Sequence, residues 1–88
     1  MEEITFSSIK ELYNRLLPAL KSKKKLINNE GFKNIKEKDI WEFMYVTRWQ
    51  NETGLTLADM VSDILHEDNK VIINYCQRKI LENISKNN

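Results

Sequence analysis

Residues 39–50, DIWEFMYVTRWQ, hold both tryptophans of the 88-residue chain, Trp41 and Trp49. At about 100° per residue, Phe43, Thr47, Ile40, Met44, Arg48, Trp41, Tyr45 and Trp49 run without a break round roughly two-thirds of a helical circumference. A helix with one buried side needs an apolar stripe of only about 100°, so this one must be covered from at least two directions. The stretch predicts the central helix of an all-α fold, with both tryptophans expected in the core.

The segments on either side supply the covering helices. Ile9, Leu12, Tyr13, Leu16, Leu17, Leu20 and Ile27 recur at i, i+3, i+4 and i+7, which marks a helix over about residues 8–29. Ser8 and Glu11 have the spacing of a reciprocal capping box, and Phe6 stands ready to pack on the first turn. Pro18 falls inside this pattern and predicts either a kink or a second helix starting there. Gly31 suits a left-handed C-cap, and Phe32 and Ile35 are expected to fold back onto the core. The central helix opens at residues 36–39, with Glu37 and Asp39 where the helix dipole favours acids, and ends near Asn51. Thr56 with Asp59 repeats the capping spacing ahead of Leu57, Met60, Val61, Ile64 and Leu65. Asp68 or Asn69 caps a last helix whose apolar face is Ile72, Ile73, Cys76, Ile80 and Ile84. Val71, Ile72 and Ile73 have strand propensity, but no second strand is there to pair with them.

Eighty-eight residues make one domain, which buries about 60% of its unfolded surface. The expected architecture is a single-domain bundle of four to five helices over residues 1–88, with its core within about 8–84 and frayed ends. The one cysteine, Cys76, excludes an internal disulfide and a cysteine zinc cluster, and suits a reducing compartment. The first residues carry acids and no apolar run of signal-peptide length, and no stretch approaches about 18 apolar residues. A soluble cytoplasmic protein without membrane insertion is expected.

The formal net charge is only +1, so no global field announces a polyanionic partner. Its distribution is uneven: residues 10–48 hold ten Lys and Arg against five Asp and Glu, and residues 51–69 hold five acids and no base. Lys21, Lys23, Lys24 and Lys25 at a helix end, with Lys33 and Lys36 close behind, are the candidate contacts to nucleic-acid phosphates. An exposed aromatic among Trp41, Tyr45 and Trp49 would be able to stack on an unpaired base. Asp59, Asp63, Glu67 and Asp68 form the candidate acidic face for a protein partner. Duplex DNA is disfavoured, because the helix after the central one, LTLADMVSDILHED, has no Lys or Arg to meet phosphate or guanine. His66 suits a helix C-terminus, Cys76 a buried apolar position, and the glycine-rich and histidine motifs of the common enzyme classes are absent. No catalytic residue, metal or cofactor is expected.

Taken in order, Leu17-Pro18-Ala19-Leu20, the lysine-rich helix end, Gly31-Phe32, Lys36-Glu37-Lys38-Asp39-Ile40-Trp41, Trp49, Met60-Val61-Ser62-Asp63-Ile64-Leu65 and Tyr75 form a pattern. It resembles the ComN-like post-transcriptional regulators of Gram-positive bacteria, over about residues 12–75. The resemblance implies a non-enzymatic cytoplasmic protein acting on messenger RNA, linked in that family to late competence genes, with a partner protein that localises it. One departure is Lys36, where a threonine is expected to open the central helix. Two functions follow as expectations: an RNA-binding regulator, directly or within a complex, and an adaptor that docks a protein scaffold without touching RNA. Homodimerisation through surplus apolar surface on the last helix is a third possibility of assembly.

Overall fold

The structure, a computed structural model, describes the backbone of residues 9–86 and the side chains of residues 9–82. The expectations for Phe6, Ser8 and Ile84, and for the fraying of the ends, fall outside those residues. Four α-helices follow one another: α1 (Ile9–Asn29), α2 (Glu37–Met44), α3 (Leu57–His66) and α4 (Asn69–Lys86). No strand occurs among the described residues, so the β-branched run at 71–73 is helical, and the fold is all-α.

Pro18 lies within α1 and does not divide it. At the far end Gly31 takes φ +103°, open to glycine because it has no Cβ. Around it the Gly31 amide donates to the Asn28 carbonyl at 3.0 Å and the Phe32 amide to Ile27 at 3.4 Å, the paired bonds of a Schellman end. The Asn28 side-chain amide then donates to the Phe32 carbonyl at 2.8 Å, which holds the loop against the helix that precedes it.

α2 begins without a side-chain acceptor, since Lys36 has none to offer. Only the return half of a capping box forms: the Lys36 amide donates to Asp39 Oδ2 at 2.8 Å. α3 has both halves, with Thr56 Oγ1 accepting from the Asp59 amide and Asp59 Oδ2 from the Thr56 amide, each at 3.1 Å. Asp68 starts α4, its carboxylate accepting from the Lys70 amide at 2.9 Å.

The central helix departs from expectation after Met44. Tyr45–Trp49 is a π-helical turn, in which each bond spans five residues instead of four. Its closing bond runs from the Gln50 amide to the Tyr45 carbonyl at 2.8 Å. Gly54, at φ +73°, turns the chain into α3.

One core is shared by all four helices. Leu16, Leu20 and Ile27 from α1, Ile40 and Met44 from α2, Ile64 from α3 and Ile72 from α4 are fully buried together. α1 packs on α2, α3 and α4, and α2 is covered by α1 and α4, so the central segment is enclosed from two sides. Phe43 meets Tyr75 edge to face, ring centres 5.3 Å apart. Ile35 is buried and Phe32 half-buried beneath the core, as the turn at Gly31 requires. On α4 the apolar face fades after Cys76, and Ile80 and Leu81 are exposed.

Candidate nucleic-acid interface

The lysines of α1 divide by helical spacing. Leu16, Leu20, Lys23 and Ile27 step by four, three and four residues, so they share one stripe, and that stripe is the buried one. Lys23 is accordingly 3% exposed, and its ammonium donates to the Glu67 carbonyl just past the end of α3. A cation there meets the negative end of the α3 dipole. Burial lowers its pKa, against the opposing pull of Glu67, Asp68 and Glu30. Lys23 therefore leaves the set of phosphate contacts: its charge is spent inside the fold.

Lys21, Lys24 and Lys25 fall on another side of α1. With Asn28, Asn29 and Glu37 they line an open depression of about 440 Å³ where the last turns of α1 face the start of α2. Lys24 pairs with Glu37 at 3.4 Å. Glu37's own backbone amide first, then Lys24 and Lys21, hold its carboxyl below the usual carboxylate range, against burial that raises it. The depression thus gathers three cations around one anion already paired. Lys33 and Lys36 are exposed on the loop that joins α1 to α2, Lys36 next in the chain to Glu37.

The acidic candidates gather along α3, and each already has an internal bond. Asp59 completes the Thr56 cap and Asp68 the start of α4. Asp63 Oδ2 accepts from Trp49 Nε1 at 3.0 Å, and Arg48 approaches Asp63 at 3.8 Å and Glu67 at 3.3 Å. The π-helical turn is what presents Arg48 and Trp49 together to α3. No sequence signal announced that turn. Asp63 as the indole's acceptor was hidden for the same reason.

The aromatic candidates divide as well. Trp49 is buried at 4% exposure, tied to Asp63, and cannot meet a base. Trp41 is half-buried, with Tyr13 edge-on at 5.8 Å and Tyr45 stacked on it at 5.8 Å and 24° between planes. Burial first, then the charges of Glu37 and Asp39, push the Tyr13 hydroxyl above its ordinary pKa, which sets Tyr13 beside the start of α2.

His66 ends α3 with its Nδ1 2.8 Å from the Ser62 carbonyl, an exposed position near a helix C-terminus. Cys76 is buried and its thiol is pushed up to about 12, chiefly by burial, so no thiolate forms near neutrality. No helix among the described residues is long and apolar enough to cross a membrane.

The described residues thus form an all-α fold with a lysine-lined depression between α1 and α2. The profile of the post-transcriptional regulator family matches residues 9–85, nearly the whole chain, and the chain belongs to that family. Neither the curated proteins nor the solved structures contain a match.

Proposed function

We propose that this regulator acts by binding RNA directly, with Lys21, Lys24 and Lys25 as the principal phosphate contacts and Lys33 and Lys36 flanking them. The observation that carries the reading is the lysine-lined depression between α1 and α2, in a chain of the post-transcriptional regulator family. Clustered ammonium groups displace condensed counterions from a phosphate backbone and gain affinity from their release. The mechanism is occupancy of a message and involves no bond-making. The competence-type messages implied by the ComN resemblance are the targets this reading favours, in a cytoplasmic setting.

The test is fluorescence anisotropy of a labelled single-stranded RNA pool titrated with the native chain and with Lys24→Glu/Lys25→Glu. Both lysines are outside the core, so the double variant keeps the fold while reversing charge in the depression. Binding by the native chain and its loss in the variant are expected. Equal binding by both contradicts the site. No binding by the native chain at low salt contradicts direct RNA contact, and the docking of a protein partner then becomes the reading to pursue.

A further inference from the structure

Two stripes face each other across the seam between α1 and α2. On α1, Tyr13, Leu17, Lys21, Lys24 and Asn28 recur at three- and four-residue steps, and on α2 and its π-helical continuation Glu37, Trp41 and Tyr45 do the same. The contacts across the seam match that reading: Lys24 meets Glu37 and Tyr13 meets Trp41. One end of the seam is therefore basic and the other aromatic. Glu37 and Tyr45, eight residues apart, put the two ends about 12 Å from each other along the helix.

Tyr45 is the outermost ring of the aromatic end. It is 37% exposed, while Trp41 behind it is half-buried and Trp49 is sealed in the core. Trp41 stacks on Tyr45 and fixes its plane, and Tyr13 and Trp49 fix Trp41 edge-on. A ring held this way loses little rotamer freedom when a second flat group settles on it.

We propose that Tyr45, backed by Trp41, is a stacking platform for an unpaired base of the RNA strand whose phosphates meet Lys21, Lys24 and Lys25. The inference rests on the direct RNA-binding reading above and specifies its ligand: a single strand, because bases in a duplex are stacked on one another and turn no face outward. Recognition of this kind is tolerant of sequence, since every base has a π-face. Any preference among messages then comes from which segments are unpaired.

The experiment compares two probes of equal length, a labelled oligouridylate and an abasic ribose-phosphate strand, against the native chain, Tyr45→Phe and Tyr45→Ala. The native chain and Tyr45→Phe are expected to hold the oligouridylate more tightly than the abasic strand. Tyr45→Ala is expected to lose roughly tenfold in affinity for the oligouridylate and nothing for the abasic strand. If the native chain binds both strands equally, the platform is overturned while RNA binding by the lysines stands, a result that needs no variant to fold. If Tyr45→Ala binds the oligouridylate as the native chain does, the same conclusion follows. If the native chain binds neither strand, the RNA-binding reading falls and takes the platform with it.

Discussion

Lys23 and its neighbours show how little separates a core position from a surface one in a lysine run. Its stem lies in line with Leu16, Leu20 and Ile27, and its ammonium bonds the Glu67 carbonyl. Lys23→Glu would set an anion against that carbonyl and near Asp68 and Glu30. Removing one partner of a buried charged contact costs about 3 kcal/mol or more. In a domain of this size that lowers Tm by upward of about 10 °C, whereas Lys25→Glu, at an exposed position, leaves it nearly unchanged, a contrast visible in thermal melts. The pH dependence follows from the same burial. The folded pKa of Lys23 is lowered from 10.5, so between the two values the unfolded chain binds more protons, and stability rises with pH across that window. Cys76, Tyr13 and Tyr75, whose pKa values are raised, act in the opposite sense over alkaline pH. The difference in stability between the native chain and Lys23→Met cancels those groups and isolates Lys23. That difference is expected to grow in favour of the native chain as pH climbs toward 10.5; a flat difference contradicts a desolvated ammonium. The four-three-four spacing from Leu16 to Ile27 was legible in the sequence, but a lysine within a lysine run reads as solvated until its partner carbonyl, 44 residues away, is known.

The π-helical turn is where local pattern and tertiary demand part. Residues 39–50 have the periodicity of a plain α-helix, and periodicity predicts one through Asn51. Arg48 and Trp49 instead meet Asp63 on α3 and Glu67 just past its end, and the turn widens by one residue as it carries them there. The Thr47 hydroxyl donates to the Phe43 carbonyl at 2.5 Å within the same stretch, supplying a bond where the backbone ladder changes step. Asp63→Ala takes away the acceptor to which the turn brings the Trp49 indole. The indole then loses Asp63, and a hydrogen bond to a charged group contributes about 1.5 to 3 kcal/mol. The expected outcome is a lower Tm and a red-shifted tryptophan emission as Trp49 meets water; an unchanged melt and spectrum contradict the role of the turn. The caps tell the opposite story. Gly31, the Thr56–Asp59 box and Asp68 were readable because each is satisfied within a few residues of chain. The link from Trp49 to Asp63 spans 14 residues and two helices, and nothing local encodes it.

In the assembled fold, charge is sorted by burial more than by sequence position. The acids of residues 51–69 look like a free acidic face along the chain, yet Asp63 and Glu67 serve Arg48 and Trp49, and Asp59 and Asp68 serve helix starts. The basic half keeps Lys21, Lys24 and Lys25 at one depression, and the aromatic end of the α1–α2 seam lies beyond them. The fold class was legible because the broad arc of residues 39–50 demands cover on two sides. The candidate interface was legible only as a list of lysines; which of them share a surface depends on how α1 rolls against α2 and α3. The measurement that bears most directly on this account is the affinity of the native chain for a single-stranded RNA as a function of salt, set beside Lys21→Gln/Lys24→Gln/Lys25→Gln. For single strands, log K falls with log salt at a slope of about 0.7 per phosphate neutralised. Three contacts at the depression predict that the variant binds more weakly and that its slope is shallower by about 2. A native slope near zero, or an identical slope in the variant, contradicts phosphate contact at this site.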